Sequence, residues 1–163
     1  MPSVNTVASR HSGPSPIAGW SWLPFNEKRH LHKLRTAVRI IDSRIRGSRP
    51  CGAAFRALPL ERTFAQVWAD ANIWISYDPK NDGQNYGATN FVGGKEVTIS
   101  EYALRMGHWT TAATLIHELA HTNGADGTSH DAEATLRDCL LSGLEDPTII
   151  GMFRHIRSGT MTA

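Results

Sequence analysis

The chain is poor in features that would settle its class at a glance. It has two cysteines among 163 residues, Cys51 and Cys139. They are too far apart for a CxxC metal clip, and the choice between one disulfide and two reduced thiols stays open. No run of 18 apolar residues occurs, so no membrane span is expected. Charge of one sign is also scarce: 17 Lys and Arg stand against 15 Asp and Glu, a formal net charge of +2. That lacks the basic footprint of a nucleic-acid binder, and no nucleic-acid partner is expected. The basic residues that do cluster, between 27 and 50, read as the solvated face of a helix. The first 25 residues, rich in Pro, Ser and Gly, lack the unbroken apolar stretch of a secretory signal. They read as a flexible N-terminal arm, with location expected to be cytoplasmic or, by a specialised secretion system, outside.

What is present is a single domain, expected over 26–163. "NEKRHLHKLRTAVRIIDSRIRG" (26–47) sets Leu31, Leu34, Val38, Ile41 and Ile45 at helical spacing, with Asn26 as cap and Gly47 as stop. A loop follows around "SRPCG". Residues 59–72 predict a second helix with Phe64, Val67, Trp68 and Ala71 on one side. "NIWISYD" (72–78) alternates like a strand. "NFVGGKEVTISEY" (90–102) has a Gly-Gly centre between two β-type runs, which predicts a hairpin. Helices are expected again at 109–123, with Thr110 or Thr111 as cap and Gly124 past its end, and at 129–144. A short helix is expected in the tail beyond. The order gives an α+β fold: N-terminal helices, a small antiparallel sheet or hairpin, then a site-bearing helix and a C-terminal helix. "GWSW" (19–22) is expected to be buried against the first helix.

The chemistry lies in "TLIHELAHTNGADGTSHDAE" (114–133). On a helix, His117 and His121 are one turn apart on the same face, so both imidazoles reach one ion. Glu118 lies beside them, placed to take a proton from a water on that ion. With eight histidines in the chain, chance produces such a pentapeptide now and then, so the flanking residues matter. A catalytic zinc normally takes three protein ligands and keeps one open position. "NGADG" offers a tight reversal. Thr128 and Asp131 have the spacing of a capping box, which would put His130 in the first turn of the last helix, facing back. His130 is therefore the expected third ligand of one Zn²⁺ per chain. Asp126, Asp131 and Glu133 remain alternatives, as ligands or as partners of a ligand's second nitrogen.

This segment resembles the aspzincin metallopeptidases, the group of deuterolysin and peptidyl-Lys endopeptidase. Their pattern is H-E-x-x-H followed by G-T-x-D, with the Asp as third ligand. Gly127, Thr128 and Ser129 match G-T-x, and His130 stands where the aspartate would be. The resemblance implies a zincin-like fold, zinc bound by His117 and His121, and Glu118 as base. A neutral imidazole in place of a carboxylate raises the charge on the centre by one unit and makes bound water more acidic. The family's tyrosine after its Asp has no counterpart in Asp131-Ala132-Glu133. Tyr102, Tyr86 or His108 could stabilise an oxyanion instead. The segment is also similar to metallopeptidase-like toxin and effector domains of bacteria, which would imply an inhibitor or immunity protein as partner.

Three functions follow as expectations. The first is a zinc endopeptidase acting on protein or peptide, with "EVTIS" (96–100) as the edge strand that pairs with substrate. The second is a zinc amidase acting on a cell-wall or side-chain amide. The third is a non-catalytic metal-binding module, which would have no need of Glu118. An acidic stretch, "LEDP" (144–147), is read as a helix end rather than a site for basic side chains.

Overall fold

The computed structural model describes residues 1–15 and 17–141. It is a mixed α+β structure with six α-helices and a four-stranded sheet among those residues. The sequence expectations for "LEDP", the end of the last helix and the tail helix fall outside the described residues.

The sheet is not the antiparallel one expected. β1 (Ser3–Val4), β2 (Trp74–Asp78), β3 (Gly87–Thr89) and β4 (Glu96–Ser100) lie in the order β1-β2-β4-β3. β1, β2 and β4 are parallel, and only β3 runs antiparallel, against β4. The hairpin exists, but its first strand is 87–89 rather than 90–92, and residues 90–95 form the connection. β4, expected at the edge, is therefore interior, buried from Val97 through Ser100. Near-continuous burial is what a strand flanked on both sides in a parallel arrangement requires. The free edge beside the histidine helix is β3.

Residues 3–5, His11 and 21–25 are laid on this sheet rather than loose. The Ser3 and Asn5 N–H groups donate to the Ile73 and Ile75 carbonyls at 2.7 and 2.8 Å. Phe25 N–H donates to Asn5 O, and Leu23 and Tyr77 exchange both backbone bonds. Trp22 and Phe25 are buried, and His11 stacks on Trp74 while reaching Glu96 at 2.9 Å. Composition suggested an arm, but an unpaired edge on β2 and two aromatic anchors supply what the local sequence lacks. Trp22 packs against the Gly13 backbone. Trp20 carries the Lys80 ammonium 3.8 Å from its ring centre.

Six helices surround the sheet. α1 (Lys28–Ile40) begins after Glu27, not Asn26, and continues into a wider π-type turn over Ile41–Ile45. That turn keeps both Ile41 and Ile45 in the core. The expected loop around "SRPCG" is helical: α2 (Arg49–Arg56) starts where Ser48 Oγ accepts the Cys51 N–H, with Pro50 in its first turn. α3 (Phe64–Ala69) starts later than expected, at a Thr63–Gln66 capping box. α4 (Glu101–Met106) leads into α5 (His108–Thr122), and α6 is Asp131–Leu141. A disulfide joins Cys51 of α2 to Cys139 of α6, both fully buried, which resolves the open cysteine question. α5 packs against α1, α4, α6 and β3, and every residue from Thr111 to Thr122 is buried. A helix enclosed on all sides carries its polar groups into the core, where each must have a use.

Candidate metal and catalytic site

The C-terminal end of α5 is built by its own sequence. Gly124 adopts φ 97°, and the Gly124 and Ala125 N–H groups donate to His121 O and Ala120 O, both at 3.0 Å. This Schellman closure turns the Ala125 carbonyl back to the helix, where it lies 2.8 Å from His121 Nδ1. His121 therefore holds its proton on Nδ1 and leaves the Nε2 lone pair free. The helix end is tied further by Arg62, which donates to Thr122 O at 2.8 Å and to Asn123 Oδ1 at 3.1 Å. The buried Asn123 amide donates to Phe55 O at 2.7 Å and Arg62 O at 3.0 Å. A cation at the negative end of the helix dipole is favourable. Neither Arg62 nor Asn123 stood out in the sequence.

His117 and His121 converge as the spacing requires. Their Nε2 atoms are 3.1 Å apart with the rings nearly perpendicular. Two imidazoles on one tetrahedral zinc, at roughly 2.0–2.1 Å each, would hold these nitrogens roughly 3.3–3.4 Å apart, so the pair fits such an ion. His117 Nδ1 is buried with no hydrogen-bond partner. Burial, then the neighbouring His121, pushes the His117 pKa down to about 3, so it stays a neutral, ligand-competent base.

Glu118 is buried and opens on the same cleft, of ≈140 Å³, as the two histidines. Burial pushes its carboxyl up to about 7, against the lowering effects of His121 and of a hydrogen bond from Thr89. That value poises a carboxyl to exchange a proton near neutrality. Thr89, on edge strand β3, has its hydroxyl 2.8 Å from Glu118 Oε2 and 3.0 Å from the Glu118 carbonyl, so one proton serves either acceptor. β3 can come this close because residue 87 is glycine: a Cβ there would stand 2.7 Å from Thr114 Cγ2, 2.8 Å from Thr98 O and 3.2 Å from Glu118 Cγ. Sequence reading missed both residues. The only local signal was that "GAT" precedes a glycine-rich turn.

The other expected site residues are distributed differently. His130 is not in the first turn of α6. It precedes that helix in a left-handed conformation, φ 57°, with its side chain 84% exposed and Nδ1 3.9 Å from Glu133. The expected capping box is replaced: Asp126 Oδ1 accepts the Thr128 N–H and hydroxyl at 2.8 and 3.0 Å, and Ser129 donates to Asp131 at 2.7 Å. These local bonds turn the loop outward, and among the described residues no third His, Cys, Asp or Glu stands with the pair. Asp131 is exposed and occupied by Ser129. Asp126 and Glu133 are near enough for their charges to act on His121 and Glu118 respectively, and Gly127 of the same loop lines the cleft. Of the oxyanion candidates, Tyr86 lines the cleft. Tyr102 stands behind it with ring centres 5.1 Å apart. Burial, then Tyr102, pushes the Tyr86 phenol up to about 12, so it remains a donor. His108 begins α5 beside Trp109 and is not among the described residues lining the cleft.

No family model, no curated protein and no solved structure matches this chain. The resemblance to the aspzincins, over residues 95–145 at most, rests on the sequence motif.

Proposed function

We propose that this chain is a zinc-dependent hydrolase of peptide bonds with a zincin-like arrangement of helix and edge strand. The observation that carries the reading is the convergence of His117 and His121, Nε2 atoms 3.1 Å apart, with buried Glu118 on one cleft. His117 and His121 would hold the metal, and the third ligand would come from the 126–130 loop or the first turn of α6, with His130, Asp126 and Glu133 as its candidates. When bound, zinc supplies a Lewis acid and an acidified water at neutral pH.

The chain's own residues do the rest. Glu118 takes a proton from the attacking water and returns it to the leaving amine. Thr89 keeps its carboxylate turned to the cleft. Tyr86, which lines the cleft and keeps its phenol proton, would donate to a developing oxyanion. The Asn90 and Ser100 N–H groups point across the β3–β4 ladder, to Glu96 O and Tyr86 O. By the alternation of an antiparallel pair, Gly87 and Thr89 then direct their N–H and C=O groups to the free edge. An extended substrate would pair there, not with "EVTIS", which is interior. A buried carboxyl held ready by a hydroxyl favours an enzyme over a non-catalytic metal-binding module. The disulfide supports work in an oxidising compartment.

The test is zinc-loaded protein on a mixture of unstructured peptides, beside Glu118→Gln. Cleavage by wild type that disappears in the variant, with zinc content equal in both, is the expected result. Zinc-loaded wild type without peptide cleavage would overturn it.

A further inference from the structure

The cleft has two unlike walls, one at each end of β3. Before the strand lie Gln84 and Asn85, whose N–H groups are both held by Asp82 Oδ1 at 3.0 Å. After it lie Phe91 and Val92, 65% and 52% exposed. These two are not left out by a wandering loop. Gly93 N–H donates to His121 O at 2.8 Å, Gly94 N–H to Phe91 O at 2.8 Å, and Asn90 N–H to Glu96 O at 2.9 Å. The apolar wall is thus tied to the carbonyl of one of the converging histidines. Leu60, half exposed, lies 3.7 Å from where a Cβ on Gly93 would stand and extends the same surface. No Lys, Arg or Asp lines the cleft among the described residues; its ionisable groups are Glu118, the two histidines and Tyr86. A charged side chain at the Phe91 end would lie against an apolar wall, whereas an apolar one would remove three apolar surfaces from water, its own and those of Phe91 and Val92.

We propose that Phe91 and Val92 set substrate specificity, selecting an extended peptide that places an aliphatic or aromatic side chain at one fixed position beside the cut bond. This rests on the peptidase reading above, and it departs from the basic-residue preference of the lysine-specific relatives that the motif resembles.

The test is a mixture of synthetic peptides randomised at each position, digested by zinc-loaded wild type, Phe91→Ser/Val92→Ser and Phe91→Arg, with cut sites read by mass spectrometry. Wild type should enrich Leu, Phe, Met or Val at one position about tenfold. The double variant should lose that enrichment while still cutting, and Phe91→Arg should move the preference toward Asp and Glu. The last change is one that a merely structural role would not produce. Enrichment unchanged in both variants, or a wild-type preference for charged residues at that position, overturns the proposal and leaves the peptidase reading standing. No cutting by any form, all with zinc bound, overturns the peptidase reading and this inference with it.

Discussion

The two ends of the candidate site are built on opposite plans. The half on α5 is buried, and most of it is positioned by specific bonds: His121 by the Ala125 carbonyl, Glu118 by Thr89, the helix end by Arg62 and Asn123, while His117 is held by packing beside His121. The half on the 126–130 loop is exposed, and its polar groups bond to one another, Thr128 to Asp126 and Ser129 to Asp131. The buried half is tied into the core, while the loop half is tied only to itself at the surface. A site of this kind obtains its chemistry from the core and its closure from the surface, because loops open at far lower cost than packed helices.

The sharpest way to break the contrast is to remove the base from the buried half. Glu118→Gln keeps shape and burial, and should lower the turnover of any peptide substrate by about 10²–10⁴-fold with zinc content unchanged. Steady-state kinetics beside elemental analysis checks this, and a variant that still turns over at the wild-type rate would remove Glu118 from the mechanism.

The same carboxyl should make the metal-stripped protein sensitive to pH. With a folded value of about 7 against an ordinary 4.5, Glu118 favours folding fully below pH 4.5, and that contribution is lost as pH rises through 7. His117, held down to about 3 from 6.5, acts in the opposite sense: its contribution is present above 6.5 and is lost as pH falls. Glu118→Gln should therefore stabilise the stripped protein by up to about 3 kcal/mol above pH 7, and by nothing below 4.5. Thermal melts across pH 4–9 in chelator measure it; curves that stay parallel would mean that Glu118 is not buried.

Next in size is Thr89. Losing a hydrogen bond to a carboxylate costs about 1.5–3 kcal/mol, so Thr89→Val should lower kcat about tenfold or more while KM and zinc content hold, and Thr89→Ser should restore it. A KM change alone would make Thr89 part of substrate binding instead. The smallest effect belongs to the loop: Ser129→Ala should shift stability by no more than about 0.5 kcal/mol, read from a denaturant midpoint. A large loss there would mean that the loop is held as firmly as the helix.

The same contrast explains what could be read from sequence. The helix over 109–123 and the pairing of His117 with His121 follow from a 3.6-residue period, and the strand at 74–78 from alternation; both are local rules. Gly124 was legible as a terminator, since a left-handed residue is needed there. The exposed, left-handed position of His130 is not legible from spacing, because the competing local bonds of Asp126 and Ser129 decide the turn and spacing does not report which short polar side chain wins. α2 escapes a reading from sequence although Ser48 and Pro50 are ordinary start signals, because its apolar period is too short to register over eight residues. β1 and the burial of Trp22 and Phe25 depend on the edge of β2, far along the chain from either segment, and the interior position of β4 depends on parallel pairing with β2. No local pattern encodes either. Thr89 became a site residue only through the close approach that Gly87 permits.

His117 and His121 are proposed as the core of a metal centre. Elemental analysis of protein purified with zinc in the medium, then dialysed, measures it directly in wild type, His121→Ala, His130→Ala, Glu133→Ala and Asp126→Ala. One zinc per chain is expected in wild type, none in His121→Ala, and loss in one of the His130, Glu133 and Asp126 variants, which identifies the third ligand. Wild type without zinc, or His121→Ala retaining it at full occupancy, would rule out a metal centre on this pair.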